Sequence, residues 1–376
     1  MKRTLAALLC VCALLPSAAH AAAPQAEAAA AVLMEKETGA LLYEQDAHDK
    51  REPASVTKIM TLLLVMEALE EGRLALTDQI AVSAHTASMG GSQVYLKEGE
   101  RMSAGELIKA VAVVSGNDAA VALAEHIAGS ESAFVSRMNE KAAQLGMADT
   151  NFVNCTGLPA AGHLTSAYDI ALMSRELILR HPQVREYTTI WMDTIRDGQF
   201  QLANTNRLVR FYEGCTGLKT GFTTSALYCL SATAEREGME LIAVVLGAPT
   251  SAQRFTAAQD LLTYGFANYT LVDVRPGQAI PPVAVSLGTS ETVQPVLGES
   301  SRILVEKARL DQVSTDLRLT DAVEAPVEAG QKLGELVVTA GGETLRTIPL
   351  VAHEGVDRIT VPGLFFRLIR TLFLSG

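Results

Sequence analysis

The sequence predicts an α+β (α/β) chain: an antiparallel sheet with a large helical insertion, a small all-β domain, and a terminal amphipathic helix. Three observations carry this reading. Strand-like segments stand at both ends of the first 268 residues, with capped, apolar-periodic helical segments between them. From about residue 271, Pro and Gly recur between short alternating stretches. Residues 361–376 are mostly apolar, and Arg367 and Arg370 share one face.

The chain has 376 residues, 48% of them apolar, enough for two domains with a sizeable core. A net charge of −11 disfavours a nucleic-acid partner, which calls for a basic face. Residues 1–21 read as an export signal: Lys2 and Arg3, then apolar Leu5 to Leu15, then Ala19-His20-Ala21 with cleavage after Ala21. The expected partition is then 24–268 for the first domain, 271–360 for the all-β domain and 361–376 for the terminal helix.

Residues 22–29 read as a frayed leader. Ala31 to Glu35 and Ala40 to Glu44, around Thr38-Gly39, read as a β-hairpin. Pro53 to Met66 opens a helix that is apolar nearly all round and therefore central, closed at Glu71-Gly72. Ser103 and Glu106 form a capping box for a helix to Val114. The chain breaks at Ser115-Gly116-Asn117, and Asp118 is expected to cap the helix Ala119 to Ala128. Further helices are expected over 131–145 and 167–179. Leu218 to Gly221, Ala226 to Ala234 and Leu241 to Gly247 form an antiparallel meander, closed by a helix from Thr256 to Phe266. The terminal segment is too short to span a bilayer and fits an interfacial helix with its arginines at headgroup level.

Among the five cysteines, Cys10 and Cys12 fall in the leader, leaving Cys155, Cys215 and Cys229. Cys215 and Cys229 flank a turn, so a cross-strand disulfide and two free thiols both remain open. The seven histidines show no metal-ligand spacing and read as scattered surface residues. No metal or other cofactor is expected.

The chemistry begins at Ser55-Val56-Thr57-Lys58. A serine hydroxyl needs a base within reach, and positions i and i+3 of a helix lie on one face, with Cβ atoms roughly 5–6 Å apart. Burial and the helix N-terminus both disfavour a charged lysine, which makes a basic amine available. Ser115 and Asn117 sit in a break between helices, where side chains point into a cleft. Lys219-Thr220-Gly221 lies on a strand, where glycine admits a ligand backbone. The ordered set Ser-x-x-Lys, Ser-x-Asn, Lys-Thr-Gly matches a pattern of penicillin-recognising serine enzymes.

On these motifs, together with Leu145-Gly146-Met147, Thr150-Asn151-Phe152, Gly157-Leu158 and Gly217 to Thr223, the chain resembles the serine-type D-Ala-D-Ala carboxypeptidases. These are the low-molecular-mass penicillin-binding proteins of peptidase family S11. The likeness covers nearly the whole chain and implies a transpeptidase/β-lactamase-like catalytic fold. One departure is Ala226-Leu227, where the family often has Ala-Gly. The resemblance implies Ser55 as nucleophile and Lys58 as its base. Ser115 would relay a proton, and Asn117 would bind Lys58 and the substrate backbone. Lys219, Thr220, Gly221, Phe222 and Arg254 would bind substrate, with the N–H groups of Ser55 and Phe222 as oxyanion donors. The implied partners are peptidoglycan stem peptides ending in D-Ala-D-Ala, β-lactam antibiotics as inhibitors, and a membrane surface on the outer side of the cytoplasmic membrane.

The rival readings are a class A-like β-lactamase, a D,D-endopeptidase and a non-catalytic wall-binding protein. The first needs an extra glutamate, for which Glu176 is the nearest match. The last has no need of an activated serine.

Overall fold

The structure, a computed structural model, describes residues 23–374. The leader, with Cys10 and Cys12, lies outside the described residues. So do several side chains of the terminal helix, that of Arg370 included.

Strands β1 (Ala30–Glu35) and β2 (Leu41–Gln45) form the first hairpin. The helical insertion follows: α1 (Lys58–Glu70), α2 (Ala104–Val114), α3 (Asn117–Ala128), α4 (Glu131–Gln144) and α5 (Ala167–Arg180). The meander is β3 (Cys215–Thr223), β4 (Leu227–Arg236) and β5 (Met239–Ala248), and α6 (Ser251–Asn268) follows it. The sheet runs β2-β1-β5-β4-β3, all antiparallel, with β3 at an edge.

Strand alternation divides the sheet between two cores. Val32, Met34, Val244 and Leu246 face the layer of α1 and α5. Ala31, Leu33, Ala243 and Val245 face α6. Helix α1 is buried on every side through Ile59, Met60, Leu62, Leu63 and Val65. A residue of that kind contributes about 1.5–3 kcal/mol when buried. A helix apolar all round has no solvent face to offer, so it takes the centre.

The capping box is present: the Ser103 hydroxyl accepts from Glu106 N–H at 3.3 Å and donates to its carboxylate at 2.9 Å. Four expectations need correction. Residues 26–29 are docked, not frayed; Ala26 is buried and Gln45 Nε2 donates to the Ala28 carbonyl at 2.8 Å. The cap of α3 is Gly116, not Asp118. Asp118 lies in the first turn, where its buried carboxylate accepts from the N–H groups of Val94 and Leu96 and so pins that loop. Helix α6 begins at Ser251, because Thr250 caps it by accepting from Gln253 N–H. Of the histidines read as surface residues, His163 and His181 are buried.

The three described cysteines are free. Register explains this for the open pair: Cys215 lies opposite Ala234, whereas Cys229 lies opposite Gly221. That places them roughly 20 Å apart along the strands, beyond disulfide reach. Leu227, where the family often has glycine, adopts φ +58°, in the left-handed region.

After α6 the chain is β-rich. Tyr269–Asp273 pairs with Arg302–Glu306. A four-stranded sheet joins Pro295–Leu297, Glu343–Ala352, Lys332–Ala340 and Val313–Leu319, and a three-stranded sheet lies beside it. Two small apolar cores tie these sheets together: Val283, Val285 and Val293 pack with Leu333 and Ala352 of the four-stranded sheet, and Ile303 and Val305 pack with its Leu336, Val338 and Ile348. Helix α7 (Val361–Leu374) ends the described chain, with Val361, Phe365 and Phe366 strongly exposed. Arg367 donates to the carbonyls of Gly288 and Thr289 at 2.7 and 2.9 Å, so this arginine grips the β-domain. Among the described residues no helix is long and apolar enough to cross a membrane.

Candidate active site

Ser55 stands on a 3₁₀ turn, Ala54–Thr57, that leads directly into α1. Lys58, one turn on, is fully buried. Its Nζ lies 2.9 Å from Ser55 Oγ, 2.6 Å from Asn117 Oδ1 and 2.7 Å from the Thr156 carbonyl. Burial lowers its pKa to about 7, against the pull of Cys155 and Asp118. A neutral amine has two N–H donors and one lone pair. Asn117 and Thr156 take the two donors, which leaves the lone pair for the serine hydroxyl.

Asn117 is fixed from two sides. Its amide donates to the Gly90 carbonyl at 2.7 Å, and its backbone N–H donates to the Ser92 carbonyl at 2.7 Å. Ser115 sits at the break between α2 and α3 in left-handed backbone, φ +64°. Its Oγ is buried and, among the described residues, has no hydrogen-bond partner. A buried hydroxyl left unpaired costs about 1–3 kcal/mol, a cost that a ligand relieves.

Strand β3 passes directly against the serine turn. A Cβ at Gly221 would lie 2.9 Å from the Pro53 carbonyl oxygen and 3.0 Å from Ser55 N. Only glycine lets the strand approach this closely. Lys219 is buried beside it, and its Nζ donates to the Thr220 carbonyl at 3.0 Å. Burial, then Lys58 and Arg254, hold its pKa well below the ordinary lysine value. An anion entering the site would offset that repulsion. Thr220 Oγ1 donates to Thr205 Oγ1 at 2.7 Å, while Phe222 is half exposed and stacks on Tyr228.

The structure thus brings Ser55, Lys58, Asn117 and the β3 residues together, with Ser115 beside Asn117. Arg254 differs in its commitments. It reaches over from α6 on the other face, and its guanidinium donates to the Gly221 and Cys229 carbonyls at 3.2 and 3.4 Å. It braces the end of β3.

Three participants carried no legible signal. Thr156 acts through its carbonyl, which side-chain identity does not announce. Thr205 meets Thr220 from the unassigned stretch between the last insertion helix and the meander. His163 lies 2.8 Å from Thr57 Oγ1. A fourth, Gly157, stood in a quoted motif without a role. A Cβ there would fall 1.8 Å from the Ala54 carbonyl oxygen, and its φ is +83°.

Comparison with known proteins gives the family of the chain. A family model described as D-alanyl-D-alanine carboxypeptidase matches residues 17–250, and one described as penicillin-binding protein 5, C-terminal domain, matches residues 274–358. The chain is 41% identical to D-alanyl-D-alanine carboxypeptidase DacF of Bacillus subtilis, covering 95% of both chains. It is 34% identical to D-alanyl-D-alanine carboxypeptidase DacC of Escherichia coli, covering 89% of this chain and 86% of that one. Among solved structures, penicillin-binding protein 5 from Haemophilus influenzae superposes with a TM-score of 0.82 at 31% identity, covering 90% of this chain and 100% of that one. Penicillin-binding protein D2 from Listeria monocytogenes, solved in its ampicillin-bound form, gives 0.59 at 35% identity, covering 64% and 98%.

Proposed function

The chain belongs to the D-alanyl-D-alanine carboxypeptidase family, and from that premise we propose how its own residues share the reaction. It is a serine-type enzyme that removes the terminal D-alanine from peptidoglycan stem peptides and binds penicillin. Neutral Lys58 takes the Ser55 proton as Oγ attacks the carbonyl of the D-Ala–D-Ala bond. The N–H groups of Ser55 and Phe222 hold the oxyanion. As the C–N bond breaks, Ser115 passes a proton to the leaving amine of D-alanine. Water then releases the acyl group from Ser55. Lys219 and Thr220 hold the terminal carboxylate, and Arg254 keeps β3 in place.

The observation that carries this division of labour is the Lys58 amine, saturated as a donor and 2.9 Å from Ser55 Oγ. The test is mass spectrometry after brief exposure to penicillin. A persistent adduct on Ser55, absent from Ser55→Ala, supports it; an adduct elsewhere overturns it. Rapid hydrolysis of penicillin would instead favour the lactamase reading. Glu176, the glutamate that reading needs, lies within α5 one turn from Arg180 and 4.0 Å from it.

Residues 1–21 act in this reading as the export signal, placing the enzyme outside the cytoplasmic membrane. Helix α7 then lies on that membrane through its exposed phenylalanines.

A further inference from the structure

Ala54, next to the nucleophile, has φ +48°, a left-handed conformation disfavoured for alanine. Something must hold it. Its carbonyl accepts a hydrogen bond from Thr57 Oγ1 at 2.9 Å, within the turn. Thr57 Oγ1 in turn lies 2.8 Å from His163 Nε2, and both residues are buried. The other ring nitrogen, Nδ1, accepts from the Val153 N–H at 3.1 Å. A neutral ring that accepts at Nδ1 carries its proton on Nε2. The hydrogen bonds therefore run in one direction, from Val153 N–H to the ring, from the ring to Thr57, and from Thr57 to the Ala54 carbonyl. Burial keeps the ring neutral, lowering its pKa to about 4 against the nearby charge of Glu52.

In a trans peptide the C=O and the following N–H point in opposite directions. Anchoring the Ala54 carbonyl therefore aims the N–H of Ser55. We propose that His163, acting through the Thr57 hydroxyl, is the positioning residue that orients the Ser55 N–H as an oxyanion donor. Resting on the assignment of Ser55 above, it adds a function for a histidine remote from the substrate. The same ring ties the 152–163 loop to the serine turn. That loop supplies the Thr156 carbonyl to Lys58 and presses Gly157 against the Ala54–Ser55 peptide.

The test compares the full chain with Thr57→Val, Thr57→Ser, His163→Phe and the Thr57→Val/His163→Phe double variant. The readouts are the rate constant for acylation by penicillin and kcat and KM on a D-Ala-D-Ala peptide. Thr57→Val and His163→Phe should each lower acylation and kcat by about 10- to 100-fold, with KM within about two-fold. Thr57→Ser, which keeps the hydroxyl, should stay within about three-fold of wild type. The double variant should be no slower than the slower single one, because both break the same chain of bonds. Wild-type acylation in Thr57→Val, or losses that multiply, overturns the proposal. Should the variants not fold, nitrogen-15 NMR of the wild-type histidines decides. An Nε2–H tautomer at His163 supports the relay, and an Nδ1–H tautomer overturns it. Failure of wild type itself to be acylated would count against the assignment of Ser55 instead.

Discussion

Lys58 Nζ lies 2.9 Å from Ser55 Oγ, with both of its remaining N–H bonds directed at protein oxygens. In the proposed reaction the base is the neutral amine, so protonation removes it. With a pKa of about 7, its deprotonated fraction rises with pH through that value. Acylation by penicillin should therefore climb roughly tenfold per pH unit below pH 7 and level off above it. A flat profile between pH 5 and 8 would exclude Lys58 as the base.

Asn117→Ala should do more than remove a substrate contact. It takes away one of the two acceptors that keep the lysine lone pair on Ser55, and the tie to Gly90. Acylation should fall by at least about 100-fold while the protein stays folded, as stopped-flow kinetics beside thermal melting would show.

Gly157→Ala should be among the costliest small substitutions. The new methyl would overlap the Ala54 carbonyl oxygen, and φ +83° adds strain. Since backbone lies on both sides of the clash, the serine turn must move. Penicillin acylation should be lost, with a stability penalty above about 2 kcal/mol in denaturant titration.

Asp118→Ala strands the buried N–H groups of Val94 and Leu96. Each unpaired donor costs about 1–3 kcal/mol, so stability should drop by about 2–6 kcal/mol, read as a lower Tm.

Leu227→Gly should stabilise. The left-handed backbone costs leucine about 1–2 kcal/mol, more than the added chain entropy of glycine, and the side chain is 40% exposed. Tm should rise by roughly 2–3 °C; a fall would show that the leucine side chain is needed.

Much of the site was legible because its chemistry is carried by side chains. Serine, lysine and asparagine at fixed spacing announce themselves, and apolar periodicity placed α1 at the centre and β3 in a meander. What escaped is what the main chain and tertiary burial decide. Thr156 contributes a carbonyl that any residue could supply. His163 looks like a surface histidine until the 152–163 loop folds over it. The separation of Cys215 from Cys229 depends on register, which proximity to a turn does not give. Asp118 was placed in the right turn but given the wrong partner, because its acceptors face a loop about two dozen residues upstream.

The outer edge of β3 is divided. Its first half is capped by side chains, with Thr188 Oγ1 on the Thr216 carbonyl and Asn206 Nδ2 on that of Gly217. The second half, from Lys219 onward, has no neighbouring strand among the described residues. A bare strand edge is a template on which another copy can add itself, and proteins usually blunt such edges. Here blunting it would close the active site. If the substrate-binding assignment proposed above holds, a peptide or penicillin along Lys219 to Thr223 would also shield the sheet from extension. Concentrated enzyme stored with such a ligand should self-associate more slowly, by light scattering, than enzyme stored without it.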